Sequence, residues 1–394
     1  MKYFILFLAS LFVIISCSQE SIKDVIPQLK LEESKAEFVL QPYCPPGFEL
    51  NEDNECINRN MYQMYNSSND KGVGGLQTGM PQHRDGFSPQ QIDLGRYLFF
   101  DPVLSIDGNV SCATCHNPDK GFADGLGLSE GVNGGVVPRS APSLWNVAFM
   151  DKFFWDGSSE SLEEQMQGPL YSDIEMGNNP DNLLKTLNSI EKYQALFQEA
   201  FPQKEGEYIN LNEIYFALTA FECSLISLNS RYDQYAHGYH DALNEQEIEG
   251  MNVFRSFVAR CAECHTPPLF TNQQLAVIGT PEPEGMSFDK GAGFTTKDST
   301  LDGGFKVPSL RNVALTAPYE HSGVFDNLFD ATQFYTKGRG HAVPDSLDLI
   351  VHWHIWEPDL SDTEIERIVD FLHTLTDESF KPQTPETVPS GLNL

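Results

Sequence analysis

Cys112-Ala113-Thr114-Cys115-His116 recurs 149 residues later as Cys261-Ala262-Glu263-Cys264-His265. Cys-x-x-Cys-His is the attachment pattern of a c-type haem: the two thiols add to the vinyl groups and the adjacent histidine binds the iron. A zinc site would need two cysteine pairs held close together, and a redox dithiol does not need the trailing histidine. The spacing therefore predicts two covalent haems and a chain that works by electron transfer.

A second repeat lies outside those motifs. Pro142-Ser-Leu-Trp-Asn-Val-Ala148 matches Pro308-Ser-Leu-Arg-Asn-Val-Ala314 at six of seven positions, 166 residues apart. At the same offset Gly157 pairs with Gly323 and Leu162 with Leu328. Self-similarity at a fixed period marks duplicated units, and the 17 extra residues of the second copy fit the Gly-, Pro- and Asp-rich segment 279–304. Strand signals are few, so the expected class is mostly α, with two tandem cytochrome c-like domains carrying one covalent haem each. Expected helices are 89–100 (capped by Ser88, with Pro89 at the first position), 159–168, 181–201, 211–235, 244–262 and 361–376, the last opened by a Ser361–Glu364 capping box. The expected division is 1–17 leader, 18–85 tether with a small disulfide loop, 86–236 first domain, 237–380 second domain and 381–394 flexible tail.

The repeat also compares the two irons. At the 166-residue offset Pro169 faces Tyr335. Proline offers no ligand atom and a tyrosinate can bind ferric iron, so the first haem is expected to be open and the second capped. Met286 and His341 are weaker candidates for the cap, and Tyr335 as a core aromatic beside Phe334 is the plain alternative. Gln165 and Glu175 lie near Pro169 in sequence. A carboxylate over an open haem can move a proton between peroxide oxygens, and an amide can orient the peroxide; Glu175 as a solvated loop residue and Trp155 as a core aromatic are the plain alternatives.

Residues 1–16 hold one lysine and then an apolar run too short for a comfortable membrane span, followed by Ile14-Ile15-Ser16-Cys17. This reads as an export signal ending at a lipoprotein-type box, with Cys17 as the lipidated N-terminus and a periplasmic location. In that oxidising compartment Cys44 and Cys56 are expected to pair, with Cys223 a buried free thiol. The net charge of −31, from 56 acidic and 25 basic residues, argues against nucleic acid and anionic lipid as partners. It would steer a basic electron carrier. His352-Trp-His-Ile-Trp356 could place two histidines on a strand face toward a metal, or simply pack at a surface or interface.

Residues 86–378 resemble the bacterial di-haem cytochrome c peroxidases and their relative MauG. The carrying motifs are LGRYLFFDPVLS, CATCHNPDKGFAD, FFWDGSSESLEEQMQGPL, SDIEMG, CAECH and PSLRNVALTAPYEHSG. The resemblance implies a peroxidatic haem on His116 and an electron-transfer haem on His265. It implies a distal pair Glu175 and Gln165, Trp155 between the haems, and His321 near the same region. It also implies an interdomain calcium, bound by the backbone carbonyls of Thr316 and Pro318 and by a side chain at Ser140, which stands where the family has asparagine and so loses a good oxygen ligand. Two departures from the peroxidases are shared with MauG: Val132 stands near the place of a capping histidine, and Tyr335 replaces a methionine. The expected function is reduction of hydrogen peroxide with electrons from a small cytochrome or cupredoxin. The alternatives are a MauG-like oxidase that modifies a partner protein, and a non-enzymatic electron carrier.

Overall fold

The computed structural model describes residues 37–59, 62, 83–203, 206, 208–337 and 347–394. The leader, Cys17 and His341 lie outside the described residues. Among the described residues helix predominates, and the strands form two two-stranded antiparallel sheets, Phe48–Leu50 with Cys56–Asn58 and Leu275–Val277 with Gly304–Lys306. No described helix is long and apolar enough to cross a membrane.

Two helix pairs organise the two halves on one plan. In the first, Pro89–Phe100 crosses Leu211–Cys223, and in the second Glu245–Phe254 crosses Asp362–His373. Each crossing turns on a glycine, because a methyl group at Gly95 would overlap the carbonyl oxygen of Ala217 and one at Gly250 that of Arg367. One turn further along, Phe99 meets Phe221 at 5.0 Å between ring centroids and Phe254 meets Phe371 at 5.2 Å. The expected caps are present: Ser88 forms a capping box with Gln91 ahead of Pro89, and Ser361 forms one with Glu364. Replacing Gly250 by alanine forces the second pair of helices apart. It is expected to destabilise the protein by about 3 kcal/mol, at the upper end for overpacking; an unchanged denaturation midpoint would show that the helices can part at little cost.

Several expected helices are divided. The stretch 181–201 is Pro180–Asn188 and Glu191–Ala200, because the Ser189 hydroxyl bonds the Thr186 carbonyl and Ile190 turns to extended backbone. The stretch 211–235 breaks after Cys223, where the Ser224 hydroxyl takes the Phe221 carbonyl, and restarts at Ser230, which caps Arg231–Ala236 with Asp233. The stretches 159–168 and 244–262 also hold two helices each, Leu162–Gln165 with Gln167–Tyr171, and Glu245–Phe254 with Cys261–Cys264. Helix Arg231–Ala236 sits before the expected boundary at 236, yet its Tyr232 and Tyr235 pack on the second half's core.

The sequence repeat has a structural cause. Asn146 and Asn312 both adopt the left-handed conformation (φ 64° and 59°) and both reach Ser227, through its backbone and its hydroxyl respectively. The preceding serines bond equivalent carbonyls, Ser143 to Gly121 at 2.7 Å and Ser309 to Leu269 at 2.6 Å. Phe153 bridges Ser159 around Gly157 as Tyr319 bridges Phe325 around Gly323. Left-handed asparagine and glycine are the residues such turns tolerate, which is why these positions match.

Two expectations of looseness are corrected. Residues 37–59, expected to be part of a tether, fold as a hairpin closed by the Cys44–Cys56 disulfide, with Leu40 and Cys56 buried in the first half's core. Residues 381–394, expected to be flexible, dock on the same half. Asp101 is a fully buried carboxylate that needs donors, and the Ser390 hydroxyl (2.6 Å), the Ser390 N–H (3.2 Å) and the Tyr193 hydroxyl (2.6 Å) supply them. A polar composition concealed a segment fastened by one buried acid.

Candidate functional site

Each Cys-x-x-Cys segment is a single helical turn from which the histidine departs. His116 leaves Cys112–Cys115 with non-helical backbone and its Nδ1 lies 3.0 Å from the Phe122 carbonyl. His265 leaves Cys261–Cys264 with Nδ1 at 3.1 Å from Phe270 O and 3.2 Å from Pro308 O. A carbonyl oxygen only accepts, so Nδ1 carries the hydrogen and Nε2 keeps a lone pair for a metal. Phe122 and Phe270 hold those carbonyls from left-handed backbone (φ 61° and 54°) with their rings fully buried. Burial pushes both histidine pKa values down, which keeps the rings neutral. Cys112, Cys115, Cys261 and Cys264 are free thiols, and among the described residues no cluster of three or more His, Cys, Asp or Glu could hold a metal ion. Two free thiols beside a neutral histidine with a free Nε2 is the donor set a c-type haem requires. The same arrangement does not suit zinc.

Near the first motif the backbone is tightly fitted. Gly131 and Gly135 have no side chain because the backbone of Ile174 and Glu175 lies where a Cβ would stand. The Val132 N–H donates to Glu175 O at 2.8 Å, so the buried valine lies beside Glu175. Met176 N donates to Pro169 O at 3.0 Å, which brings Pro169 into the same loop, and Gln165 ends the helix just before. Burial raises the Glu175 carboxyl pKa, and the carboxylate acts electrostatically on Cys115. Glu175, Pro169 and Val132 are thus brought together near Cys115. Gln165 is on the adjoining helix, with no hydrogen bond to Glu175 among the described residues.

The second motif opens on a cavity of about 240 Å³ lined by Cys261, Cys264, His265, Tyr335 and, from the first half, Trp155. Of the three residues considered for its cap, Tyr335 lines the cavity and Met286 does not. Burial, then Glu320, Cys261 and Cys264, push the Tyr335 phenol well above its ordinary pKa. A phenolate there needs a cation to stabilise it, as a ferric iron would. Trp155 donates its indole N–H to Ser140 O at 2.9 Å and meets Phe305 and His321 edge-on at 6.5 and 6.4 Å. His321 is buried, stacked on Phe305 at 3.9 Å, with Nε2 at 3.0 Å from Glu282.

Ser140, Thr316 and Pro318 lie together on the wall of this cavity, at a joint between the halves. Ser140 N donates to His321 O at 2.7 Å, its hydroxyl donates to Glu320 O at 2.9 Å, and its carbonyl accepts from Trp155. The Thr316 hydroxyl donates to Val313 O. Calcium takes six to eight oxygens; the donating hydroxyls leave the Thr316 and Pro318 carbonyls, the atoms the resemblance assigns to it, outside these bonds. A guanidinium secures the joint as well: Arg139 bonds Asp156 at 2.8 Å and Asp289 at 2.7 Å.

The segment 352–356 is a turn rather than a strand, and His352, His354 and Trp356 line the second cavity. His354 Nε2 contacts Glu263 of the second motif at 2.6 Å. Sequence reading missed this placement, as it missed Lys306 on the same wall; only the repetition of histidine and tryptophan in so short a stretch signalled it.

The pattern of the family described as di-haem cytochrome c peroxidase matches residues 89–241. A cytochrome c551 peroxidase of Pseudomonas aeruginosa is 34% identical over 312 residues, covering 77% of this chain and 85% of that protein. The methylamine utilization protein MauG of Methylorubrum extorquens is 33% identical over 291 residues, covering 74% and 79%. A solved MauG-like protein associated with microbial copper homeostasis shares 30% identity at a TM-score of 0.70, covering 78% of this chain and 96% of that one. With two matching Cys-x-x-Cys-His sites in a duplicated helical frame, the chain belongs to the di-haem cytochrome c peroxidase and MauG family, haem c oxidoreductases that act on peroxide.

Proposed function

We propose that Cys112 and Cys115 hold one haem c and Cys261 and Cys264 a second, with His116 and His265 as the iron ligands, one haem in each half. Peroxide is reduced at the first site and electrons arrive through the second. The haems supply the redox-active iron. Glu175 takes a proton from one peroxide oxygen and returns it to the other, Gln165 orients the peroxide, and Val132 leaves the distal side without a capping histidine. Trp155 stands between the halves, fixed by its bond to Ser140. The electron donor is a small cytochrome or cupredoxin, drawn by the acidic surface. Export, with a lipid anchor at Cys17, places the protein in the periplasm.

One observation carries this reading: equivalent positions of the two halves hold Pro169, with no ligand atom, and Tyr335, whose side chain lines the second cavity. Low-temperature EPR of the ferric protein as isolated tests it. One high-spin and one low-spin signal are expected; two low-spin signals would mean that the first iron is closed at rest.

Tyr335 also favours a second reading, in which oxidising equivalents from peroxide modify a partner protein, as in MauG-like chemistry. A tyrosinate stabilises ferric iron and lowers the potential, which makes the second haem a poor acceptor from a high-potential carrier. Tyr335→Met is expected to raise that potential and to change the low-spin EPR signal. If neither moves, Tyr335 is not the ligand. Sustained rapid turnover with a reduced high-potential cytochrome would decide against the second reading.

A further inference from the structure

Among the described residues six basic side chains line the second cavity, and five are accounted for within the chain, His265 by its bonds to Phe270 O and Pro308 O. Arg311 is paired with Asp233 at 2.6 Å, His354 contacts Glu263 at 2.6 Å, and Arg260 lies 3.9 Å from the same Glu263 while stacked between Phe257 and Trp356. His352 is driven toward its neutral form by burial and by His354. Lys306 remains. Among the described residues no carboxylate lies within 4.0 Å of its ammonium, and the charges that act on it, Asp151 and Lys152, oppose each other. Its backbone is fixed: strand Gly304–Lys306 pairs with Leu275–Val277, and Lys306 N donates to Trp155 O at 2.7 Å. By area the side chain is only partly buried, since it faces the cavity, yet desolvation pulls its pKa down to about 8. A cation held in a largely apolar cavity without a counter-ion is unfavourable, so the occupant of the cavity should bring the anion.

We infer that the Lys306 ammonium forms an ion pair with a propionate carboxylate of the haem attached at Cys261 and Cys264, and so helps to set the potential of that haem. The inference rests on the two-haem reading of the site. A haem carries two carboxylates and an apolar macrocycle, which matches one unmatched cation on an apolar wall. Because Lys306 is joined through its N–H to the Trp155 carbonyl, the pair forms at the seam between the halves. A cation beside the macrocycle favours the reduced, more negative state. Its loss should make the second haem harder to reduce.

The experiment uses the holoprotein, with haem content measured first and the midpoint potential of the second haem read by spectroelectrochemical titration. Wild type should carry two haems; a ratio below two would sink the haem reading itself, before any variant is compared. With two haems present, Lys306→Met and the closer-shaped Lys306→Gln should each lower the equilibrium constant for reduction at least tenfold, equivalent to 59 mV for a one-electron couple. Lys306→Arg should restore most of it. An unchanged potential in both neutral variants with both haems attached would overturn the proposal. So would an altered low-spin EPR signal, which would make Lys306 an iron ligand rather than a propionate partner.

Discussion

Glu175→Gln is expected to lower kcat/KM for peroxide by about 10²–10⁴-fold, the usual contribution of a positioned proton carrier, while both haems stay attached. The change keeps the shape of the side chain and the backbone bonds that set it: Glu175 N donates to Ser172 O, and Glu175 O accepts from Val132 N. What it removes is a carboxylate whose pKa burial has raised above the ordinary range for glutamate. A raised pKa suits a group that must accept and then release a proton near neutral pH. The pH profile follows from the sign of that shift. The wild-type rate should rise with pH as the carboxyl loses its proton, with a midpoint above that of a free glutamate, and the variant should lack this limb. The ferric EPR spectrum should not change, because Glu175 is not assigned to iron. Wild-type rates in Glu175→Gln would remove it from the mechanism and return it to the solvated-loop reading.

The duplicated frame could be read from the sequence because its constraints are local. A turn that needs left-handed backbone selects Asn146 and Asn312, and a motif that needs two thiols and an imidazole writes itself as Cys-x-x-Cys-His twice. The caps at Ser88 and Ser361 were legible for the same reason. What escaped was set by partners distant in sequence. Ser390 is ordered by Asp101, 289 residues away, and nothing in a polar C-terminal stretch shows that. Ser140 donates its hydroxyl to Glu320 O, 180 residues away, a bond no local pattern announces. Periodicity runs through Ser189 and Ser224, and their hydroxyl bonds to the preceding turn give the pattern no reason to stop there. Lys306 and the segment 352–356 gain significance only from the cavity they share.

Arg311→Leu should cost about 3–5 kcal/mol of stability, the range for breaking a buried pair by removing one partner. Position 311 is where the repeat departs from itself, since its counterpart in the first half is Trp145. The tryptophan is a buried ring packed on Phe122, whereas the arginine is fully buried and fully bonded. Its guanidinium reaches Asp233 at 2.6 and 2.7 Å and the Pro268 carbonyl at 2.8 and 2.5 Å. Asp233 also accepts from the hydroxyls of Tyr62 and Ser230. Leucine would leave that carboxylate buried with hydroxyls but no cation. Replacing both residues by apolar side chains should recover most of the loss, because the penalty comes from the stranded charge and not from the missing pair. Arg311 holds the Asp233 carboxyl below its ordinary pKa against the opposing effect of burial. A depressed carboxyl pKa gives stability that is fully present above the unfolded value, about pH 4, and lost as pH falls through the folded value. Acid unfolding of the wild type should therefore steepen below about pH 4, and the double apolar variant should lose that part of the dependence. Denaturant titrations at neutral and acidic pH measure both effects. Equal midpoints for wild type and Arg311→Leu at neutral pH would mean that the pair contributes nothing and that Asp233 is satisfied by the hydroxyls alone.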